Sequence, residues 1–152
     1  RSFLQVFMLQ MVILLVIALP IINAAIHTSH SSLGLIQIAA IMVWGFGFLW
    51  QAIADYQLYV FKKEYPGQII TTGLWKHSRH PNYFGEIVMW WSIFFMVVGT
   101  ENGYLMVVSP ILITYLLFKV SGVPMLESKY ADNPEYLAYS KNTPAIFPVR
   151  LR

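Results

Sequence analysis

Cysteine is absent from this chain of 152 residues, and charged residues are scarce. Without cysteine, neither disulfide bonds nor thiolate metal sites can form. Charged residues make up 11% of the sequence, less than half of the roughly 25% that is usual in soluble domains. Hydrophobic residues make up 57%. The composition therefore excludes an ordinary water-soluble domain and indicates a membrane protein.

Two sequence motifs that are absent limit the functions that the chain can have. The sequence has no glycine-rich fingerprint of a Rossmann domain, so a dinucleotide would have to bind in a helical pocket. His77 and His80 lie three residues apart before a proline, with no carboxylate at ligand spacing, and we therefore predict no metal site. In a chain this apolar, the net charge of +3 indicates basic loops that set membrane topology and not a nucleic-acid partner.

Four apolar stretches approach the length of about 20 residues that a helix needs to cross a bilayer. We predict an all-α polytopic membrane bundle over residues 1–152, as a single domain with a loop at 62–81 and an amphipathic tail at 121–152. Because the chain starts at Arg1 without a methionine, we expect upstream helices that complete a bundle of six or seven spans. The predicted spans are Phe3–Ile26, Leu33–Ile53, Tyr83–Gly99 and Tyr104–Val120.

All lysines and arginines fall on one side of such a four-span bundle. The two opposite loops, His27–Ser32 and Thr100–Gly103, contain none. Positive residues favour the cytoplasmic side, so we predict that both chain ends, the 62–81 loop and the tail are cytoplasmic and that the membrane is a bacterial inner membrane. The basic residues are Arg1, Lys62, Lys63, Lys76, Arg79, Lys119, Lys129, Lys141, Arg150 and Arg152.

Candidate site residues begin at the end of the second predicted span. Gln51, Asp55 and Tyr59 are spaced four residues apart and share one helical face, and Lys62 follows Asp55 two turns later. One interpretation is an interfacial cap with snorkelling lysines. The other is a functional site, because carboxylates at membrane depth are costly and commonly functional.

The segment 73–86 is the richest in candidate residues. Pro81 suits the first position of a helix, and cations beside a helix N-terminus favour phosphate. Asn82 and Glu86 lie one turn apart on that helix and are predicted to project inward together. The alternative is an ordinary basic loop followed by a glutamate that hydrogen-bonds within the bundle. The cations and histidines before the proline are Lys76, His77, Arg79 and His80.

The tail is predicted to form a short amphipathic helix, a turn and a second helix. Glu127 and Tyr130 are candidate cofactor residues on the first of these. Tyr136 and Tyr139, on the second, have the alternative of a simple aromatic membrane anchor.

The run Arg-His-Pro-Asn-Tyr-Phe-Gly-Glu at 79–86 resembles the signature of a bacterial membrane family related to the steroid 5-alpha-reductases, which is often catalogued as a domain of unknown function. Agreement extends to 54–57, 61–62, 121–127 and 139–148. The resemblance implies a helical bundle that uses NADPH to saturate a carbon–carbon double bond conjugated to a carbonyl. It implies a lipophilic substrate, steroid-like or isoprenoid, that enters from the bilayer.

The resemblance also implies which residues contact the cofactor. We further expect Lys62, Lys76 and Arg79 to face its phosphates. Lys62 stands where the steroid enzymes carry arginine, and lysine lacks the bidentate geometry with which arginine binds phosphate. The residues that polarise the substrate carbonyl lie upstream in those enzymes, so the catalytic residues are unknown here and we expect this chain alone to be inactive. The residues implied or proposed for the cofactor are Gln51, Asp55, Lys62, Lys76, Arg79, His80, Asn82, Glu86, Glu127 and Tyr130.

Two other functions stay open. Isoprenylcysteine carboxyl methyltransferases and phospholipid methyltransferases carry a similar Arg-His-Pro run and a tyrosine-rich tail, and they bind S-adenosylmethionine. Their tail usually opens with paired glutamates, whereas Glu127 is followed by Ser128 here, and Asn82 with Glu86 is closer to the reductases. A membrane scaffold without enzymatic activity is the third possibility, although it would have little use for polar residues converging on one pocket.

Overall fold

The computed structural model describes residues 2–27 and 33–149, which form helices joined by turns and loops, with no strand among them. The prediction of an all-α fold is confirmed. Arg1, Arg150, Arg152 and the predicted loop residues 28–32 lie outside the described residues. The helices are α1 (Ser2–His27), α2 (Leu35–Glu64), α3 (Pro81–Val97), α4 (Val108–Tyr115), α5 (Val123–Glu127) and α6 (Pro134–Asn142).

Within residues 2–27 and 33–149, three helical stretches are long and apolar enough to cross a membrane: Phe3–His27, Leu35–Glu64 and Gly103–Tyr130. Membrane integration is therefore supported by length and composition. α3 has 17 residues, about 26 Å at 1.5 Å per residue, which is slightly shorter than a hydrocarbon core of about 30 Å. The four-span topology stays a prediction for this reason.

The last of the three stretches is a composite helix. It begins with a 3-10 turn at Gly103–Val107, continues as α4, and widens into a π-helical turn at Leu116–Val120. It packs on α1 through Ser109, whose hydroxyl donates to the carbonyl of Ile17 at 2.6 Å. Pro20 lacks the N–H that would bind the carbonyl of Val16, one residue before Ile17. The Ser109 contact therefore joins the two helices and does not replace the bond that the proline removes.

Helices α2 and α3 run antiparallel and pack closely where two glycines meet. A Cβ atom added to Gly47 would lie 2.9 Å from the carbonyl oxygen of Gly85, and a Cβ atom on Gly85 would lie 2.6 Å from the carbonyl oxygen of Gly47. Small residues let helix backbones approach in membranes. This contact brings the end of α2 beside the beginning of α3, where most of the candidate site residues lie.

The opposite end of the bundle is closed by side-chain contacts between α1 and the turn after α3. Asn23 donates to the carbonyl of Glu101 at 2.9 Å and accepts a hydrogen bond from the Thr100 hydroxyl. Asn102 has a φ of 56°, a left-handed conformation that asparagine tolerates better than most residues. The turn predicted to join the third and fourth spans is thereby tied to α1.

Candidate functional site

The segment between α2 and α3 is fastened to the end of α2. Gly73 has a φ of 59°, and this places the backbone N–H of Leu74 2.9 Å from Oε1 of Gln57. The indole N–H of Trp75 donates to the carbonyl of Ala54 at 3.0 Å in a buried contact. Glycine is favoured at that φ, so the turn at Gly73–Lys76 can lie flat against α2.

The tail returns across the start of α3 and binds it through backbone hydrogen bonds. The N–H groups of Arg79 and His80 donate to Pro144 and Ala145, both at 2.9 Å. The hydroxyl of Ser78, which is fully buried, donates to the carbonyl of Ile146 at 2.7 Å. The residues that precede α3 therefore have the end of α2 on one side and the tail on the other.

A pocket lies between these three parts of the chain. Its cavity volume is about 130 Å³, below the roughly 300–1,000 Å³ that is usual for small-molecule sites. Its polar groups lie near the end of α2 and the first turn of α3, and its other walls are apolar or aromatic. The lining residues are Leu58, Lys62, Gln68, Ile69, Ile70, Trp75, Arg79, His80, Asn82, Leu126, Tyr130, Tyr136 and Tyr139.

Asn82 connects the pocket to α2. Its side-chain N–H donates to Oδ1 of Asp55 at 3.0 Å, while its own carbonyl oxygen accepts from the backbone N–H of Tyr83 at 3.1 Å. Asp55 is solvent-exposed and fixes the orientation of the amide. The predicted convergence of α2 and α3 polar side chains is therefore present for this pair.

Arg79 is held by the protein. Its Nε and Nη2 donate to the two carboxylate oxygens of Glu127 at 2.8 and 3.2 Å. Its Nη1 donates to the carbonyls of Ser140 and Thr143 at 2.9 and 2.7 Å. Four of the five guanidinium N–H groups are thus used and one is left for a ligand, so the role of Arg79 at the phosphates stays a prediction. Glu127 is likewise a partner of Arg79.

His80 completes this arrangement. Its Nε2 lies 3.0 Å from Oε1 of Glu127, and because a carboxylate only accepts, the histidine nitrogen carries the proton. Burial lowers the pKa of His80 below its ordinary value, although the nearby Glu127 opposes that shift. The ring is therefore neutral near pH 7. We call Arg79, His80 and Glu127 the tail latch, since they bind the tail to the start of α3.

Four aromatic residues form one side of the pocket, and we call Trp75, Tyr130, Tyr136 and Tyr139 the aromatic wall. Tyr130 stacks on Tyr136 with ring centroids 5.1 Å apart, and Tyr136 meets Tyr139 edge-on at 6.1 Å. Burial raises the pKa of both Tyr136 and Tyr139, and for Tyr136 the hydrogen bond and charge of Glu127 raise it further. Both hydroxyls are therefore neutral donors.

Comparison of the sequence with known proteins assigns the chain to a protein family. The sequence profile of the family described as "Protein of unknown function (DUF1295)" matches residues 1–143. The chain belongs to the DUF1295 family. No curated protein and no solved structure matches it.

In this DUF1295 protein, half of the residues predicted for the cofactor line the pocket: Lys62, Arg79, His80, Asn82 and Tyr130. Asp55 and Glu127 lie directly behind this lining, as partners of Asn82 and Arg79. Lys76 is exposed and outside the lining, because the turn at Gly73–Lys76 directs Trp75 inward instead.

Gln51 and Glu86 lie farther along the helices than the pocket. Gln51 is on α2 at the crossing with Gly85, and its Oε1 is buried without a hydrogen-bond partner within residues 2–27 and 33–149. Glu86 is partly buried one turn beyond Asn82 and experiences the negative charge of Asp55. Asn82 lines the pocket and Glu86 does not, so the shared role of the two residues stays a prediction.

Several pocket residues were missed by sequence reasoning. Trp75 falls inside the segment 73–86, but its neighbours drew attention because they are charged. Tyr136 and Tyr139 had been weighed as a membrane anchor, yet Tyr136 is buried and the Tyr139 hydroxyl donates to the carbonyls of Trp75 and Ser78. Their spacing of three residues on a short helix was the available signal. Within the part of the chain that the structure describes, no group of three metal-ligating side chains occurs.

Proposed function

We propose that this protein is a membrane-embedded NADPH-dependent reductase that saturates a carbon–carbon double bond conjugated to a carbonyl in a lipophilic substrate. The observation that carries the proposal is the pocket at the loop-and-tail end of the bundle, where Lys62 and Asn82 face a largely apolar and aromatic cavity. A pocket of this kind, with few polar groups on apolar walls, is typical of small-molecule sites. The family resemblance at 79–86 supports the same activity.

The pocket contains groups that suit parts of a dinucleotide. Lys62 is a cation on the pocket rim that can face a phosphate. Asn82 keeps one amide N–H beyond the one that it gives to Asp55, and Tyr130 lines the same pocket. When bound, NADPH would supply the hydride. The chain's own contribution would be to orient the cofactor and to keep water from the reacting end.

One observation favours S-adenosylmethionine as the second candidate. The tail latch occupies most of the Arg79 guanidinium, so the pocket offers less positive charge for phosphates than the sequence predicts. S-adenosylmethionine has no phosphates, so its binding would not need the positive charge of Arg79. A methyltransferase of lipophilic substrates is therefore the alternative to a reductase.

A matched pair of lysine variants tests the reductase proposal. Lys62→Ala removes the pocket cation, whereas Lys63→Ala removes an exposed lysine outside the lining. Hydrogen bonds to charged groups contribute about 1.5–3 kcal/mol, and the exposure of Lys62 favours the lower end. We expect about a tenfold loss of NADPH affinity for Lys62→Ala and none for Lys63→Ala, measured by calorimetry in detergent. Equal affinities in both variants would contradict the assigned role.

A further inference from the structure

We propose that the aromatic wall binds the adenine ring, the planar group that NADPH and S-adenosylmethionine share. This inference rests on the proposed cofactor pocket and deepens it, because it assigns one part of the ligand to one part of the lining. It holds for either cofactor, so its test can be separated from the choice between reductase and methyltransferase.

The polar ends of the aromatic wall are directed into the protein. The indole N–H of Trp75 and the hydroxyl of Tyr139 both donate to backbone carbonyls. The ring of Tyr136 is buried and stacks on Tyr130. Trp75 and Tyr139 therefore offer the pocket their ring surfaces and not their hydrogen-bonding groups. A ligand that meets such a wall gains from apolar contact and stacking, which suits a flat heteroaromatic ring.

Tyr130 is the residue on which a ring has room to stack. It is 39% exposed, while Trp75 and Tyr136 are 7% and 8% exposed. One face of Tyr130 is already covered by Tyr136, whose ring lies 27° from parallel. Base–aromatic stacking contributes about 1–3 kcal/mol per base. Tyr130 therefore dominates the expected affinity for the ring, with Tyr136 as its support.

The position of the wall within the fold selects the adenine end of the cofactor. Trp75 belongs to the turn before α3, Tyr136 and Tyr139 belong to the tail, and Tyr130 is the last residue of the apolar stretch Gly103–Tyr130. The wall therefore lies at the ends of the apolar helices. Asn82, by contrast, lies in the first turn of α3. A lipophilic substrate approaches from the bilayer, and the reacting end of the cofactor must face it. The adenine ring, which does not react, then lies against the aromatic wall. Lys62 lies near the phosphates or ribose that connect the adenine ring to the reacting end.

The test compares three probes on the full-length protein in detergent: NADPH, S-adenosylhomocysteine and reduced nicotinamide mononucleotide, which lacks adenine. Tyr130→Ala should weaken NADPH binding about 5- to 140-fold, which corresponds to the 1–3 kcal/mol of stacking. Tyr130→Phe keeps the ring and should bind within about twofold of the parent. Tyr104→Leu, an exposed tyrosine at the opposite end of the bundle, should also match the parent. The mononucleotide should bind parent and Tyr130→Ala equally.

The outcomes separate the inference from the proposed function. NADPH binding that is equal in the parent and in Tyr130→Ala would overturn the adenine assignment and leave the reductase proposal standing. Binding of S-adenosylhomocysteine that depends on the Tyr130 ring, with no NADPH binding, would support the assignment and contradict the reductase. If neither adenine-containing probe binds the parent, both are overturned. The melting temperature of each variant without ligand confirms that it is folded.

Discussion

Arg79 and Glu127 determine, at the level of single residues, whether the pocket has an outer wall. Their side chains are 14% and 21% exposed, so the pair is partly shielded from water and its bidentate geometry is well suited to a lasting contact. The tail carries Tyr130, Tyr136 and Tyr139. Without the latch, these residues would lose their fixed distance to Lys62 and Asn82.

Replacement of Arg79 by lysine should loosen the tail. Lysine keeps the charge but lacks the planar fork that binds both carboxylate oxygens and two carbonyls at once. Loss of charge-assisted hydrogen bonds of this kind costs about 1.5–3 kcal/mol, which raises the population of undocked tail about 10- to 150-fold. The measurement is the rate of tryptic cleavage after Lys141 in detergent.

The control for the latch is Lys76→Ala, since Lys76 is exposed and outside the lining. Its cleavage rate should equal that of the parent. If the tail is cleaved equally slowly in Arg79→Lys, the backbone hydrogen bonds that Pro144 and Ala145 accept suffice to hold it, and the latch loses its assigned role.

The sequence predicted some residues of the site and not others for physical reasons. Asn82 was predictable because a polar side chain in the first turn of an apolar helix must face a partner or a pocket. The pairing of Arg79 with Glu127 was not predicted because the two residues are 48 positions apart, and nothing local in the sequence shows it. Tyr139 was ambiguous because aromatic residues suit both membrane interfaces and pockets.

Among the elements, α2 and α3 set the geometry of the site, and their crossing depends on two glycines. Gly47→Ala and Gly85→Ala would each place a methyl group within 3 Å of the opposite backbone. Backbone cannot move aside as a flexible side chain can, so we expect each variant to lose about 1–3 kcal/mol of stability. Thermal unfolding in detergent should show a clear decrease in melting temperature.

Gly45→Ala is the matched control, because an added Cβ atom there has no atom within 4 Å. It lies on the same helix and should keep or slightly raise the melting temperature, since alanine favours helix over glycine. A melting temperature in Gly47→Ala equal to that of Gly45→Ala would argue against the close crossing.

The helices themselves were largely predictable because long apolar runs have few alternatives in a bilayer. Their ends were less so. The second predicted span ends at Ile53, whereas α2 continues to Glu64. Hydropathy shows which residues are apolar enough for the bilayer, and a helix can continue beyond them into water. The π-helical turn at Leu116–Val120 has no signal in apolar spacing, because it depends on how the chain turns into α5.

At the scale of the whole molecule, the topology prediction is testable by reporter fusions. Lysines and arginines favour the cytoplasmic side, so fusions after Gly67 and Asn142 should report the cytoplasm. A fusion after Asn102 should report the periplasm. A cytoplasmic signal at Asn102 would contradict the four-span arrangement and would mean that α3, with its 17 residues, does not cross the membrane.

The identity of the cofactor is the central claim, and one titration tests it most directly. The full-length protein in detergent is titrated with NADPH and, separately, with S-adenosylmethionine, and the heat of binding is measured. The account predicts NADPH binding in the micromolar range and no specific binding of S-adenosylmethionine. Saturable binding of S-adenosylmethionine with no response to NADPH would contradict the reductase and replace it with the methyltransferase.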